Sequence, residues 1–376
     1  MKAPNTNIIA VEAFCYRYPL TTPVVTSFGR MLDRPAVFVR VADADGHVGW
    51  GEAWCNFPST GAEHRTRIIN EILGPMVTGD TFETPQKTFD ALTLRTSVLA
   101  LQSGEHGPFA QCIAGIDIAL WDMAARRKSL ALWRLLGGQH PSIKVYASGI
   151  NPSGSRAQAE AALRRGHRAL KLKIGFDPGV DHDNLTALRD LVGRDGTLAA
   201  DANQAWDAET AIARADADDQ FWLAWLEQPI RADRPWSEWQ RLRRAFTTPL
   251  AAGENIASIA GFAQALGDDV LGVVQPDLAK WGGFSATAPI ARDSRAAGKT
   301  FCPHYLGGGI GLLASAHLLA GVGGDGLLEV DSNDNPLRDE FCGPVAHVVD
   351  GAITLSDEPG IGFVPDLASI ERYRTL

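Results

Sequence analysis

The sequence predicts an α/β protein in which an N-terminal α+β unit precedes a (β/α) barrel. Two observations predict this architecture. From about residue 143, eight short apolar segments alternate with helical patterns, and a polar residue stands at or near the end of seven of them. Catalytic residues of such barrels lie at the carboxyl ends of successive strands, and each strand-plus-helix unit takes about 25–30 residues. The period therefore predicts one ring of functional side chains.

Composition narrows the class of protein. The 376 residues exceed one average domain and suit a barrel with a smaller attached unit. The net charge of −9, without clustered Lys and Arg, argues against nucleic acid as a partner, and the apolar runs are too short to span a membrane. Five scattered cysteines and an N-terminus without a signal-peptide pattern predict a cytoplasmic protein with reduced thiols.

The first 130 residues do not follow the barrel period. Residues 8–20 form one predicted strand, and a hairpin is predicted around Asp43-Ala44-Asp45-Gly46. Three helical patterns follow, and the last ends in Arg126-Arg127-Lys128, which complements a helix dipole. Strands followed by helices indicate a separate α+β unit. The predicted hairpin strands are 36–41 and 47–53, and the predicted helices are 61–76, 83–95 and 106–128.

The barrel strands are predicted from apolar runs that precede helical patterns such as 155–166 and 181–192. The region after about 340 is irregular and rich in Pro and Gly, and we expect it to fold back onto the first unit. The predicted strands are 143–150, 169–174, 197–202, 223–228, 249–254, 270–276, 299–303 and 326–330.

Lys171 and Lys173 lie two residues apart on one predicted strand and therefore point to the same side. The apolar residues between and beside them fit the interface with the helices, so both lysines should face the barrel interior. Mutual repulsion and desolvation should lower the pKa of at least one ammonium group and make it a usable base. Taken alone, this strand could equally be an edge strand with two solvated lysines.

Three carboxylates, Asp201, Glu227 and Glu254, end three consecutive predicted strands. Without a cation they would repel one another. All-oxygen ligation, with no Cys or His, suits Mg²⁺ better than Zn²⁺, and Mg²⁺ keeps positions open for water or a substrate carboxylate. A single such residue could be a helix cap, but three in register predict a Mg²⁺ site.

On later strands, His304 follows Phe301-Cys302-Pro303, and Asp277 ends the strand before it at a matching height. A carboxylate that holds one imidazole nitrogen fixes the tautomer and keeps the other nitrogen basic, so the pair predicts a general base or acid. Glu329 closes the series. It is expected either to donate a hydrogen bond, if its surroundings keep it protonated, or to be structural.

These residues together resemble the enolase superfamily, specifically its mandelate racemase subgroup, over essentially the whole chain. Lys171-Leu172-Lys173 is similar to the K-x-K of that subgroup, and the three carboxylates match its metal ligands. Asp277 stands where the muconate-lactonizing subgroup carries a lysine base. The resemblance implies a modified (β/α)8 barrel of the (β/α)7β type at 140–340, with an α+β capping domain at 1–130 that also receives about 341–376.

The resemblance also implies a role for each residue. Lys173 would be the base for one face of the substrate, and His304, with Asp277, the base for the other. Glu329 would donate to the substrate carboxylate, and Lys171 and Asn203 would also contact the substrate. The expected cofactor is Mg²⁺, the expected substrate is a small carboxylate, and the expected assembly is a homo-oligomer.

Members of this family remove the proton α to a carboxylate, and Mg²⁺ stabilises the enediolate that forms. Loss of a β-hydroxyl would give a 2-keto-3-deoxy acid, whereas return of a proton to the other face would give the epimer. Polar residues of loops 21–30 and 54–65 favour dehydration of an aldonate or aldarate, although Val24, Val25, Trp54 and Phe57 could line an apolar pocket. A racemase or epimerase is the alternative, and a non-catalytic protein of this fold is a third, less favoured because no site residue is lost. The polar loop residues are Thr22, Thr26, Ser27, Arg30, Asn56, Ser59, Thr60, His64 and Arg65.

Overall fold

The computed structural model describes residues 5–26 and 29–376, and for Thr22, Val25 and Thr26 it describes the backbone alone. The N-terminal part forms a four-stranded antiparallel sheet in the order β3-β2-β1-β4. The predicted hairpin is confirmed, and Gly46 supplies the positive φ of 85° that its turn requires. The strands are β1 Thr6–Thr26, β2 Gly29–Asp43, β3 Val48–Ala53 and β4 Thr81–Phe82.

The helices of this part cover one face of the sheet. Strand β3 approaches the long buried helix His106–Arg127 so closely that a Cβ at Gly51 would lie 2.1 Å from the Gly115 carbonyl oxygen. Glycine is therefore required where the strand meets the helix. The predicted helix 61–76 is an α-helix, a π-helical turn at Ile68–Leu73 and a second α-helix. The α-helices are α1 Gly61–Arg67, α2 Gly74–Val77, α3 Pro85–Ser103, α4 His106–Arg127 and α5 Leu132–Leu135.

The barrel has eight parallel strands, as predicted, in the order β11-β10-β9-β8-β7-β6-β5-β12. Across the remaining seam, the Leu327 N–H donates to the Cys302 Sγ at 3.3 Å. Tyr146, Trp225 and Cys302, with several alanines, fill the interior, whereas the leucines of the strands pack against the helices. The strands are β5 Ser142–Ile150, β6 Ala169–Lys173, β7 Thr197–Asp201, β8 Leu226–Glu227, β9 Leu250–Ala252, β10 Val273–Val274, β11 Thr300–Phe301 and β12 Leu327–Asp331.

Helical segments follow each of the first seven barrel strands, which gives the expected (β/α)7β pattern. A further strand, β13 Ala352–Thr354, pairs antiparallel with β5, and two 3-10 helices, Gly343–Ala346 and Leu367–Tyr373, lie in the C-terminal region. The α-helices are α6 Ser155–Arg164, α7 Pro178–Val192, α8 Ala208–Ala213, α9 Ala215–Asp219, α10 Trp236–Ala245, α11 Ile259–Gly267, α12 Gly283–Ala296, α13 Gly309–Val322 and α14 Pro336–Asp339.

The chain end returns to the N-terminal sheet. The Thr375 N–H donates to the Cys15 carbonyl at 2.9 Å, and the rings of Tyr18 and Tyr373 meet edge to face at 5.3 Å. The domain limits of 1–130 and 140–340 stay a prediction. Within the described residues, no helix has the length and apolar composition that a bilayer span requires.

Contacts between the sheet and the barrel bring strand β3 to the open end of the barrel. Buried Glu52 accepts hydrogen bonds from the Gly308 and Gly311 N–H groups at 2.5 and 2.8 Å, and buried Arg34 forms an ion pair with Asp331. Breaking a buried ion pair costs more free energy than breaking an exposed one, because a charge is left buried without a partner. These contacts therefore hold the sheet against the barrel. The residues directly after β3 therefore lie against the carboxyl ends of the barrel strands.

Candidate active site

The register of the barrel strands places the predicted residues side by side. Lys173 pairs with Asp201, and Asp201 pairs with Glu227, on three neighbouring parallel strands. A cavity of about 340 Å³ opens at this end of the barrel. Glu227 and Asp277 lie behind its wall, each bonded to a lining residue. The predicted residues that line it are Lys171, Lys173, Asp201, Asn203, Glu254, His304 and Glu329.

Lys171 faces the barrel interior, as predicted, but the expected low pKa is wrong for this residue. Its Nζ contacts Glu227 Oε2 at 2.7 Å and Glu329 Oε1 at 2.8 Å. Burial disfavours the charged ammonium, but the attraction of these two carboxylates outweighs it and raises the pKa of Lys171 well above its usual value. Lys171 is therefore a fixed cation.

Lys173 has different surroundings although it is only two residues away. Its side chain lines the cavity, and its Nζ makes no hydrogen bond or ion pair with the described part of the chain. The ammonium still lies close enough to Asp201 to stabilise the charged form of that carboxylate. Of the two lysines, Lys173 is the one placed to exchange a proton with a bound molecule.

The three predicted metal ligands are carboxylates with different partners; Asp201 and Glu227 are buried, and the Glu254 side chain is 13% exposed. Burial raises the pKa of Asp201 and of Glu227, and repulsion from another carboxylate adds to the effect: from Glu254 in the case of Asp201, and from Asp201 in the case of Glu227. Glu254 behaves in the opposite way: burial disfavours its charge, but Lys280 at 3.1 Å and His304 at 3.4 Å lower its pKa to about 2. Buried carboxylates that repel one another are what a divalent cation would stabilise.

The oxygens of the three carboxylates do not converge on one point. Glu227 Oε2 accepts from Lys171 Nζ and from Gln275 Nε2, both at 2.7 Å, while Glu254 is turned towards Lys280. Asp201 Oδ1 accepts the backbone N–H of Asn203 at 2.7 Å. The donor chemistry fits Mg²⁺, and the side chains would have to turn towards a common ion.

A second cluster of possible ligands lies in the β2–β3 turn. Among the described residues, Asp43, Asp45 and His47 place their ligand atoms within 4.8 Å of one another. However, Arg127 lies 3.3 Å from Asp43 and 3.2 Å from Asp45, so a cation already neutralises them. Asp43 also accepts the backbone N–H groups of Asp45 and His47. The cluster is accounted for as a turn that shapes the hairpin.

His304 and Asp277 form the predicted pair. His304 Nδ1 lies 2.8 Å from Asp277 Oδ2, and the other carboxylate oxygen accepts the N–H groups of Ala279 and Lys280 at 2.9 and 3.1 Å. Burial disfavours a charged imidazole, but Glu254, Glu329 and Asp277 together raise the pKa of His304 to about 10. With Nδ1 held by Asp277, Nε2 is the nitrogen on the cavity side, 3.4 Å from Glu254 Oε2.

Glu329 is not kept protonated, contrary to one of the two expectations for it. Burial alone would raise its pKa, but Lys171 and His304 outweigh burial and lower it. The carboxylate accepts from Lys171 Nζ and from the Tyr305 N–H at 3.2 Å. It is therefore an acceptor that holds Lys171 in the wall of the cavity.

Asn203 lines the cavity from a turn and not from a strand. Strand β7 ends at Asp201, so strand alternation no longer applies two residues later. Asn203, Gln204 and Gln228 instead have positive φ angles of 50°, 65° and 40°. Non-glycine residues in this region cost about 1–3 kcal/mol each and concentrate at functional sites. The strained turns directly follow two of the candidate metal ligands.

Sequence reasoning missed six lining residues, namely Ser148, Gly149, Gln204, Asn255, Lys280 and Leu306. Lys280 contacts Glu254 and donates to Asn255 Oδ1 at 2.6 Å, and its Nζ lies 4.7 Å from the centre of the Trp54 ring. Its position three residues after Asp277 was a signal, since the turn after a strand faces the same opening. Ser148 also lines the cavity, and strand alternation from Tyr146 in the barrel interior could have found it.

The two predicted loops contribute unequally. Trp54, Asn56 and Phe57 line the cavity, whereas Arg65 is buried against Gln111 and His64 pairs with Glu105. Ser59 and Thr60 are absent from the lining, as is buried Val24. Thr21 and Arg30 line a separate cavity of about 700 Å³. Residue Ser27 and the side chains of Thr22, Val25 and Thr26 lie outside the described residues.

Comparison with known proteins agrees with this geometry. Residues 154–369 match the family model described as enolase C-terminal domain-like, and residues 8–137 match that of the mandelate racemase / muconate lactonizing enzyme N-terminal domain. A crystal structure of a mandelate racemase/muconate lactonizing enzyme from Bordetella bronchiseptica RB50 is 50% identical, with a TM-score of 0.94, over 98% of this chain and 99% of that one.

More distant relatives have described activities. The 3,6-anhydro-alpha-L-galactonate cycloisomerase of Streptomyces coelicolor is 31% identical over 96% of this chain and 98% of its own. The structure of L-talarate/galactarate dehydratase from Salmonella typhimurium LT2, liganded with Mg and L-lyxarohydroxamate, is 26% identical with a TM-score of 0.85, over 100% and 94%. Relatives thus comprise sugar-acid dehydratases, cycloisomerases and racemases. The chain belongs to the enolase superfamily, in its mandelate racemase-like group.

Proposed function

We propose that the protein is a Mg²⁺-dependent enzyme that removes the proton α to a carboxylate and then eliminates a β-hydroxyl from a sugar acid. One observation carries this proposal. Lys173, on β6, and His304, after β11, line the same cavity. Around the barrel, four strands lie between β6 and β11 in one direction and two strands in the other. Two proton-transfer groups on well-separated strands, with carboxylates between them, suit removal of a proton from carbon.

Asp201, Glu227 and Glu254 would hold the Mg²⁺, because they offer only oxygen donors and lie at the ends of three neighbouring strands. When bound, the ion supplies positive charge that stabilises the negative charge developing on the substrate carboxylate. Lys171, fixed by Glu227 and Glu329, adds a permanent positive charge next to the candidate metal ligand Glu227.

The protein's own residues carry the proton steps. Lys173 takes the α-proton on one face, and the electron pair of the C–H bond enters the carboxylate to give an enediolate. His304, oriented by Asp277, donates a proton to the β-hydroxyl, and water leaves as the carbon–oxygen bond breaks. The resulting enol becomes a 2-keto-3-deoxy acid. The same elimination would open a ring if the leaving oxygen belonged to the ring.

Racemisation or epimerisation is the second candidate, and the same pair of groups favours it. If His304 returned a proton to the α-carbon from its own face, the product would be the epimer, and in the reverse step the deprotonated His304 would be the base that removes the α-proton of that epimer. The two outcomes differ in whether a leaving group stands β to the carboxylate and within reach of His304. A cytoplasmic location and a homo-oligomeric assembly remain part of the proposal.

The test is a panel of aldonates, aldarates and anhydro-sugar acids incubated with protein and Mg²⁺ in D₂O. Formation of a keto acid supports elimination, and deuterium at the α-carbon without loss of substrate supports epimerisation. The absence of both across a broad panel, or the same rates after chelation of Mg²⁺, would contradict the proposal.

A further inference from the structure

Residues that follow strand β3 hold the backbone of two barrel turns. The Trp54 N–H donates to the Ala279 carbonyl at 3.1 Å, in the turn after β10 that begins with Asp277. Asn56 Nδ2 donates to the Leu306 carbonyl at 2.6 Å, in the turn after β11. The N-terminal part of the chain therefore contacts both turns that carry the proposed acid–base pair.

Glu52, within β3, holds the second of these turns directly. Its Oε1 accepts the Gly308 N–H at 2.5 Å, and its Oε2 accepts the Gly311 N–H at 2.8 Å. The first N–H groups of a helix have no acceptor within the helix, so a side chain of the N-terminal sheet caps barrel helix α13. A Cβ at Gly308 would lie 2.7 Å from Glu52 Oε1, which shows how closely the carboxylate packs on the turn.

The two proposed bases differ in what holds their backbone. Lys173 is the last residue of β6 and pairs with Asp201 of β7 within the barrel sheet. Strand β11 ends at Phe301, so His304 lies beyond the sheet, although its N–H donates to the Pro276 carbonyl at 3.2 Å. The position of Lys173 therefore depends on the barrel sheet, whereas that of His304 also depends on the turn that follows it.

Side chains from elsewhere hold this turn. Glu329 accepts the Tyr305 N–H at 3.2 Å, and Asn335 Nδ2 donates to the Gly307 carbonyl at 3.0 Å. Residues 307–309 are glycines and have no side chains with which to hold themselves in place. The two side chains from the N-terminal part thus supply a large share of the support of this turn.

A buried carboxylate is an unfavourable way to join two parts of a protein. Burial raises the pKa of Glu52 to about 7, although the N–H groups of Gly311 and Gly308 favour its charged form. Apolar side chains of similar volume often stabilise a contact as well as buried charges do. However, apolar side chains could not accept two backbone hydrogen bonds. The carboxylate therefore fits a requirement for accurate placement of the turn better than a requirement for stability alone.

We propose that Glu52 and Asn56 are positioning residues for His304, so that the N-terminal part controls proton transfer on the His304 face of the substrate and not on the Lys173 face. Each acts by fixing the backbone that carries the imidazole. The inference rests on the proposed function for the role of His304, and it adds that only one of the two bases depends on contacts between the sheet and the barrel.

Glu52→Gln tests the proposal, because glutamine has one acceptor oxygen for two N–H donors and turns its NH₂ group towards one of them. The assay follows loss of the α-proton signal in D₂O, with Mg²⁺ present, for two acids that are epimers at the α-carbon. Exchange on the His304 face should fall by at least about 10-fold, since a displacement of about 1 Å can cost about 100-fold in rate. Exchange on the Lys173 face should fall by less than about 3-fold.

A second measurement needs no substrate. Deuterium uptake by backbone amides, followed by mass spectrometry of peptides, should become faster at 304–311 in Glu52→Gln and stay unchanged in β6. Equal slowing of both epimers, or unchanged uptake at 304–311, would overturn the inference. If the unaltered protein exchanges no α-proton, the proposed function fails, and the uptake measurement still decides whether Glu52 holds the turn.

Asp117→Asn is the matched control. Asp117 is also a buried carboxylate of the N-terminal part, and it accepts the backbone N–H of Ser285, in barrel helix α12, at 3.0 Å. Because α12 does not follow His304, the control should change the ratio of the two exchange rates by less than about 2-fold. A change as large as that in Glu52→Gln would contradict the proposal.

Asn56→Ala provides a second variant, which decides the matter if circular dichroism shows that Glu52→Gln is not folded. Loss of the hydrogen bond to Leu306 should lower exchange on the His304 face by at least about 3-fold relative to the Lys173 face. The ratio of the two rates is the relevant quantity, because a partly unfolded sample or weaker binding slows both epimers alike. An unchanged ratio in Asn56→Ala would overturn the inference.

Discussion

Replacing Asp277 by asparagine should prevent His304 from acting as a base, although the histidine side chain is still present. Oδ1 of Asp277 accepts two backbone N–H groups, from Ala279 and Lys280, while Oδ2 faces His304 Nδ1 at 2.8 Å. An asparagine will keep its only oxygen towards the two N–H donors. Its NH₂ group must then face Nδ1, which forces the ring proton onto Nε2.

The size of the effect follows from this geometry. With a proton on Nε2, the imidazole cannot accept one from the substrate, and a general base typically contributes about 10²–10⁴-fold to rate. We therefore expect α-proton exchange on the His304 face to fall by about 10³-fold. Exchange on the Lys173 face should fall by less than about 10-fold, since binding is retained. Two backbone hydrogen bonds are preserved, so the free energy of unfolding should change by only about 1 kcal/mol.

The assay follows loss of the α-proton signal in D₂O for two substrates that are epimers at the α-carbon. Asp117→Asn is a matched control, because Asp117 is also buried but bonds to Ser285, away from the cavity. The control should leave the ratio of the two exchange rates unchanged. The reasoning is refuted if Asp277→Asn slows both epimers equally or leaves the His304 face at its original rate.

Three further predictions concern stability and metal binding. Lys171→Met leaves two buried carboxylates without their cation and should lower the free energy of unfolding in urea by about 3–5 kcal/mol; a loss below about 1 kcal/mol would contradict the ion-pair assignment. Asp201→Asn should weaken Mg²⁺ binding by about 100-fold in calorimetry, whereas Asp45→Asn, in the turn cluster, should not. The reverse result would mean that the ion binds at the turn cluster and not at the barrel carboxylates. Burial lowers the pKa of His317 to about 4, below the unfolded value of about 6.5, so the unfolded state binds the proton first. The contribution of His317 to stability is then full above about pH 6.5 and falls by about 3 kcal/mol towards pH 4. Burial also lowers the pKa of His167 to about 4, so His317→Gln should reduce the slope of stability against pH without removing it, and an unchanged slope would exclude His317 as a source.

The parts of the site that were predictable depend on local periodicity. Alternation along β6 places Lys171 and Lys173 on the same side of the strand, and the series of barrel strands predicts that this side faces the interior, where the structure has both. The spacing of Asp201, Glu227 and Glu254 similarly follows from strand ends, because each unit of strand and helix has nearly the same length.

The partners of these charges were not predictable, because they depend on closure of the barrel. Glu329 can contact Lys171 only because β12 pairs with β5, and β5 in turn pairs with β6, the strand that carries Lys171. Two repelling lysines were expected, but each found a different environment once carboxylates from other strands surrounded Lys171. The position of Lys280 was not predictable because it lies in a turn, where neither strand nor helix periodicity sets the direction of a side chain. Arg65 was assigned to the cavity because its loop is polar, yet it lies in helix α1 and bonds to Gln111 of α4.

The most direct test of the account compares Lys173→Ala and His304→Asn in the D₂O exchange assay with two α-epimers and Mg²⁺. The account predicts that each variant loses exchange with one epimer and keeps it with the other, and that the two variants lose opposite epimers. Full exchange of both epimers by either variant would contradict the assignment of that residue as a base. Loss of the same epimer in both variants would contradict the placement of the two groups on opposite faces of the substrate.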